Sequence, residues 1–395
     1  MRVLFVNHGD FGNNSHSHIV GFAQALASRG HSVMVVAGGQ LMPIKGVLAV
    51  SASKFLRREM TDEERVFLED EKTIVHAWTP RERVRLLVED LQRLGLRYVV
   101  HLEDDEVLVS ATQLGMAPRD LHCASESDAS FHVPEHLSHP ARYRAFLHGA
   151  CGVTVIIDQL LAEASANQPT LVLEPGVDCE TFGRRSDPHD RQAAREKIGV
   201  GPNTCLLLYH GSVHPAVQRD MFSLYAAIAK LRRTHDAALL RAGAPDMVTK
   251  VSSVYSRGDG VINLGFLERP DLVATLELAD IYIQPGWATP FNARRLPSKL
   301  LEFLAMGRPT ITPATNMGRV LVDRENAMIL KEGGAGPIVA AVKDLIAHPD
   351  MAMRIGQNGR ELACSRYQFS QNAILLEAFY ESLPPPRPAD AKALL

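Results

Sequence analysis

Charge imbalance is missing from this 395-residue chain: 42 Lys and Arg stand against 45 Asp and Glu, a formal net charge of −3. No general attraction to nucleic acid or to an anionic membrane follows, although a local basic patch is not excluded. Cysteine is scarce and scattered, at Cys123, Cys151, Cys179, Cys205 and Cys364. An odd number without Cys-x-x-Cys argues against a disulfide framework and a zinc site, and suits a reducing compartment. No apolar run is long enough to span a bilayer. Nor does a positively charged leader precede an apolar core; Met1-Arg2 runs straight into Val3-Leu4-Phe5-Val6, which reads as a first strand. These absences lead to the expectation of a soluble cytoplasmic protein. G-x-G-x-x-G is also lacking after that first strand, so a dinucleotide fingerprint is not supported.

What is present is a normal globular balance, 46% hydrophobic and 22% charged, over a length that suits two domains. Strand-like and helix-like segments alternate throughout. Val3–Val6 leads into the glycine- and asparagine-rich loop Asn7–Ser15, then a helix from about Ser17 to Ser28 and a strand from Ser32 to Ala37. That βαβ opening places ligands at the carboxyl ends of its strands. Phe55 to Lys72 reads as one charged helix, and residues 110–140 read as irregular. Arg97–His101 is a strand with Glu103, Asp104, Asp105 and Glu106 just beyond it. Hard carboxylate oxygens could hold a divalent metal there, bind acceptor hydroxyls, or simply favour a helix N-terminus. His101 stands where its strand would meet a cleft. Gly183–Asp190 is the best linker, and Cys205–Tyr209 opens a second doubly wound sheet.

The stretch Arg294–Pro309 carries the most chemistry. It follows the strand-like run Asp280–Pro285 and the loop Gly286–Ala293. Pro297 suits the first turn of a helix, which runs from Ser298 to Ala305 and is ended by Met306-Gly307. Arg294, Arg295 and Lys299 thus gather at a helix start, a place for a phosphate-like anion, and Glu302 lies one turn on. The other reading of the same residues is a solvated cationic loop followed by an exposed helical glutamate.

Taken in order, these landmarks resemble a GT-B glycosyltransferase of the large retaining family 4, over nearly the whole chain. Pro175-Gly176-Val177-Asp178 with Phe182 is similar to that family's domain-junction motif. Leu208-Tyr209-His210-Gly211-Ser212 resembles the start of its donor domain, and Arg295–Pro309 with Pro313-Ala314-Thr315-Asn316 a subgroup form of its nucleotide-sugar motif. The resemblance implies two Rossmann-like doubly wound domains facing a cleft. The acceptor side would span 1–182 and the nucleotide-sugar side 183–364. A helix at 365–385 would cross back to the first domain, and a tail would follow at 386–395.

It further implies a retaining hexosyl- or related transferase, working on a nucleotide-diphospho-sugar and a glycan, lipid-linked or small-molecule acceptor. No cofactor and no metal are expected, and no nucleic acid. A lipid-linked acceptor would bring the first domain to a membrane surface. The implied catalytic residues are His101, Arg295 and Lys299. The implied donor contacts are Gly211, Ser212, Arg241, Asn292, Arg295, Ser298, Lys299, Leu300 and Glu302, with Glu302 on the ribose. Gly12, Asn13 and His16 would lie near the transferred sugar or the acceptor.

Three positions depart from the pattern. Arg294 stands where the family often has the first glutamate of a Glu-x7-Glu pair, and Ser212 and Gln218 stand where it often has an Arg and a Lys. Arg295 and Lys299 then become the main candidates for diphosphate charge, with Arg241 and Arg219 behind them. Two other functions share this plan: a non-catalytic nucleotide-sugar-binding or partner subunit, and a nucleotide-sugar epimerase or hydrolase.

Overall fold

A computed structural model describes residues 1–127, 131–183, 187–213, 215–244 and 257–385. Arg184 and Arg185 of the expected linker, and the expected tail, lie outside the described residues. The chain divides into two compact units, Met1–Gly176 with the chain from Phe369 onward, and Val177–Gln368.

The first unit holds β1 (Arg2–Asp10), β2 (Ser32–Gly38), β3 (Leu48–Ser51), β4 (Ile74–Trp78), β5 (Arg97–Leu102), β6 (Gly152–Val155) and β7 (Thr170–Val172). They form one sheet in the order β3-β2-β1-β4-β5-β6-β7, with every pairing parallel. Val3, Leu4, Phe5 and Val6 are successive and all buried, as a sheet covered by helices on both faces requires. The last helix, Phe369–Ser382, belongs to this unit and buries Ala373, Leu376 and Tyr380 against Phe5, Phe22 and Trp78. A fully buried leucine or phenylalanine among them contributes about 1.5–3 kcal/mol by leaving water.

The second unit holds β8 (Cys205–His210), β9 (Ala237–Ala242), β10 (Val261–Gly265), β11 (Ile281–Ile283), β12 (Thr310–Pro313) and β13 (Met328–Leu330). Their order is β10-β9-β8-β11-β12-β13, again with every pairing parallel. Both sheets therefore have the alternating α/β plan expected of doubly wound domains.

Local departures have local causes. The first helix starts at Asn14 rather than Ser17, because the Asn13 side chain accepts the His16 backbone N–H at 2.7 Å and caps it. The single helix expected over Phe55–Lys72 is two, Ala52–Leu56 and Asp62–Leu68. Thr61 and Glu64 form a reciprocal capping box that starts the second one. Residues 110–140 are not irregular throughout. Asp105 caps a helix Glu106–Leu114, which Gly115 ends in the left-handed conformation, and Pro118 opens another to Ser127.

The odd, scattered cysteines do not exclude a disulfide. Cys179 and Cys364 form a disulfide with Cα atoms 5.8 Å apart. It sits where the chain enters and leaves the second unit, beside a hydrogen bond from the Val177 N–H to the Tyr367 carbonyl at 2.8 Å. No helix among the described residues is long and apolar enough to cross a membrane.

Candidate functional site

In the second unit the strand order reverses between β8 and β11. Loops leaving the carboxyl ends at such a reversal are where open α/β sheets bind ligands. β8 runs into Gly211 and β9 into Gly243, at φ of 129° and 138°. A Cβ on Gly243 would stand 2.3 Å from the Gly211 carbonyl oxygen, so only glycine fits. Two strand ends thus come together as bare backbone.

Lys299 lies on this bare surface: a Cβ on Gly211 would come within 2.5 Å of its Nζ. Nζ donates to the Tyr209 hydroxyl at 3.2 Å and stands 4.5 Å from the centre of that ring. Tyr209 is level with Arg241 on β9. Arg241 is 2% exposed; its Nη2 donates to the Ala244 carbonyl at 2.6 Å, and its Nε has no partner among the described residues. Arg295 lies 4.8 Å from the Phe291 ring centre. Among the described residues none of these three cations is ion-paired with a carboxylate. A guanidinium cannot shed its charge, and burying one without an anion is costly.

Glu302 lies one turn beyond Lys299. Arg269 Nη1 donates to its Oε1 at 2.8 Å, and His210 Nε2 stands 3.0 Å from its Oε2. Burial works to raise its pKa, but His210 and Arg269 together hold it below the usual carboxylate range. It is therefore a fixed carboxylate with lone pairs left to accept hydroxyl groups. Arg269 is itself held 4.6 Å over Phe182.

The remaining donor-side residues have different surroundings. Asn292 is 4% exposed, and its Nδ2 donates to Asp220 Oδ2 at 2.9 Å and to the Trp287 carbonyl at 3.0 Å. Its amide braces the loop after β11. Burial raises the Asp220 pKa against the Asn292 amide, the Trp287 N–H that donates to Oδ1 at 2.9 Å, and the charges of Arg295 and Arg219. Leu300 is wholly buried in the core. Ser298 is already helical at φ −52° and makes no capping hydrogen bond, and the helix it precedes, Lys299–Ala305, has seven residues. Ser212 is exposed, and Arg219 stacks on Trp287 at 3.6 Å.

In the first unit His101 is the penultimate residue of β5 at 1% exposure, stacked on Trp78 with ring centres 4.0 Å apart. Its Nδ1 meets Thr154 Oγ1 at 2.8 Å, and burial lowers its pKa to about 3. Gly12 has a positive φ of 87°. The Asn13 Oδ1 accepts from Asn7 Nδ2 at 3.1 Å as well as from His16, so it orders the loop after β1. His16 packs edge-on to Phe11, and its Nδ1 is buried without a partner among the described residues.

The acidic run after β5 is spoken for. Glu103 accepts from Ser15 Oγ and lies 2.8 Å from His18 Nδ1. Burial would raise its pKa, but His18 and Ser15 hold it well below the usual carboxylate range. Asp105 caps its helix at the Leu108 N–H, and Glu106 accepts from Ser138 Oγ at 2.6 Å and from Arg81 Nε at 3.4 Å. Among the described residues no group of three or more His, Cys, Asp or Glu is placed to hold a metal ion.

Sequence reasoning missed Tyr209, His210 and Arg269 around Lys299 and Glu302, and His76, Thr154 and Tyr380 behind His101. Tyr209 and His210 stood inside a motif already singled out. The others sit far away in sequence and carry no local signal.

Comparison with known proteins places these features. Residues 204–348 match the family described as "Glycosyl transferases group 1". Over 216 residues the chain is 28% identical to the "GDP-mannose-dependent alpha-(1-6)-phosphatidylinositol monomannoside mannosyltransferase" of Mycolicibacterium smegmatis, covering 52% of this chain and 55% of that one. Over 166 residues it is 29% identical to the "D-inositol 3-phosphate glycosyltransferase" of Mycobacterium sp. (strain KMS), covering 40% and 35%. The chain thus spans about half the length of the first relative and about a third of the second. Among solved structures, Anabaena HepE in complex with UDP and glucose superposes with a TM-score of 0.70 at 14% identity, covering 97% of this chain and 100% of that one. Sucrose-phosphate synthase from Thermosynechococcus elongatus gives 0.69 at 15% identity, covering 96% and 98%. At these identities the structural likeness establishes the fold, which is GT-B.

Proposed function

We propose that this chain, with its GT-B fold and a group 1 glycosyl transferase match over 204–348, is a glycosyltransferase that moves a sugar from a nucleotide-diphospho-sugar to an acceptor hydroxyl with retention. One observation carries the reading: among the described residues Lys299 and Arg241 have no carboxylate partner, Arg295 feels Asp220 without forming an ion pair with it, and Lys299 lies beside the bare backbone of Gly211. A diphosphate supplies the missing negative charge, and backbone without side chains lets it approach. Glu302, held ionised, accepts the ribose hydroxyls.

In the reaction the bond from the sugar C1 to the diphosphate oxygen breaks while the acceptor oxygen bonds to C1 on the same face. The acceptor proton passes to an oxygen of the departing diphosphate. Charge grows on that diphosphate, and Lys299 with Arg295 stabilises it most at the transition state. No metal ion is needed for this step, because protein cations carry the charge.

The printed names of two relatives guide the substrates. Both are named for inositol-containing acceptors, and one for GDP-mannose; a structural neighbour holds UDP and glucose. The test is to incubate the full chain with GDP-mannose or UDP-glucose in EDTA, with and without inositol and inositol phosphate. Acceptor-dependent release of nucleoside diphosphate is expected. Release that ignores the acceptor would make the chain a hydrolase or epimerase. Ser212 and Gln218, in place of the expected Arg and Lys, favour one further reading, a subunit that binds nucleotide sugar without turning it over. Binding with no turnover on any pair would establish that instead.

A further inference from the structure

Behind His101 the first unit contains a continuous buried chain of hydrogen bonds. The Tyr380 hydroxyl lies 2.6 Å from His76 Nδ1, His76 Nε2 lies 3.0 Å from Thr154 Oγ1, and Thr154 Oγ1 lies 2.8 Å from His101 Nδ1. Tyr380, His76 and Thr154 are fully buried and His101 nearly so. Burial lowers the pKa of both histidines, so both rings are neutral, and each has one N–H and one bare nitrogen.

The direction of this chain is decided at its far end. A threonine hydroxyl has one proton and two lone pairs, and accepting from both imidazoles would leave its own buried proton with no acceptor among the described residues, so it accepts from one and donates to the other. Two arrangements obey that rule. In one, Tyr380 donates to His76 Nδ1, His76 Nε2–H donates to Thr154, and Thr154 donates to His101 Nδ1. In the other every bond runs backwards, and His76 Nδ1–H donates to the tyrosine oxygen. The Tyr380 hydroxyl has no other hydrogen-bond partner among the described residues, so the second arrangement strands its buried proton. A buried donor left without an acceptor is among the costlier defects a fold can carry.

We infer that Tyr380, His76 and Thr154 form a one-way relay that holds His101 as the Nε2–H tautomer, making it a hydrogen-bond donor to an oxygen of the transferred sugar. His101 Nε2 has no hydrogen-bond partner among the described residues, so that donor is available. The inference rests on the reading of His101 as a sugar contact. Tyr380, His76 and Thr154 are positioning residues, and the C-terminal helix that carries Tyr380 thereby sets the chemistry of a strand end.

The test is a nitrogen-15 NMR assignment of the histidine tautomers in the full chain, with Tyr380→Phe, Thr154→Val and Thr154→Ser beside the wild type. The relay predicts Nε2–H at His101 in the wild type and in Thr154→Ser. A mixture or the Nδ1–H form is predicted in Tyr380→Phe and Thr154→Val. In both disrupted variants kcat should fall about tenfold, which corresponds to about 1.4 kcal/mol, with the thermal shift from nucleoside diphosphate unchanged. Thr154→Ser should keep kcat. An Nδ1–H tautomer in the wild type, or the same tautomer in all four proteins, would overturn the relay. A changed tautomer with unchanged kcat would overturn the role at the sugar. The absence of any turnover in the wild type would count against the glycosyltransferase reading, while the tautomers would still decide the relay.

Discussion

The strand ends of the two units solve opposite problems. In the first, one set of buried polar groups is bonded from within: His76 has both nitrogens bonded, His101 is neutral and held by Thr154, and Glu103 is held by Ser15 and His18. In the second, Lys299, Arg295 and Arg241 form no ion pair with a carboxylate among the described residues, and Arg295 has Asp220 within electrostatic reach. The difference separates two kinds of function. A satisfied network fixes geometry and contributes to stability. An unsatisfied charge is a standing cost that a ligand removes, so it marks where the anion goes.

Substitutions should therefore split along the same line. Lys299→Met gives the largest effect, a fall in kcat of about 10²- to 10³-fold, the scale of losing one preorganised donor to transition-state charge. Its melting temperature should stay at the wild-type value, and a matching loss of stability would break the comparison. On the other side, His76→Leu should destabilise the fold by about 2–4 kcal/mol in urea unfolding, because Tyr380 loses the partner of its buried hydroxyl and Thr154 loses one of its two. Arg241→Met sharpens the contrast because its two readouts move apart. Nucleoside diphosphate affinity should weaken about tenfold to a hundredfold. Stability should hold or rise slightly, since a buried cation with no carboxylate partner among the described residues is gone. A large loss of stability would mean that Arg241 is structural.

The smallest effect is in acid, and it begins in the first unit. Burial takes His8 and His101 down to about 3 from an ordinary value of 6.5. The unfolded chain therefore binds protons first as pH falls. The stability that these rings contribute is complete above about pH 6.5 and is lost progressively toward pH 3. Glu103 and Glu302, both held below 4.5, add a second loss as pH falls through their folded values. Melting temperature should start to decline below about pH 6.5, and His101→Gln should flatten the upper part of that decline.

Much of this was legible in the sequence, and the remainder was not for a definite reason. Lys299 and Glu302 are one helical turn apart and announce themselves, as do buried strands such as Val3–Val6. The signal is local in each case. The relay joins Thr154 to His76 across 78 residues and His76 to Tyr380 across 304. The Cys179–Cys364 bond spans 185, and Arg269 reaches Glu302 across 33. Such partners are set by the order of strands in a sheet, which residue spacing does not encode. Asn13 and Asn292 carry the converse lesson: an amide in a glycine-rich or site-adjacent loop can be committed to capping or bracing that loop.

The central claim is that Lys299, Arg295 and Arg241 of the second unit hold a diphosphate. Calorimetric titration of the full chain and of Lys299→Met with UDP, uridine, GDP and guanosine, all in EDTA, tests it most directly. One diphosphate should bind the wild type at least about tenfold more tightly than its own nucleoside, a difference of about 1.4 kcal/mol, and most of that difference should vanish in Lys299→Met. Equal binding of nucleoside and diphosphate, or binding of neither, would contradict the account.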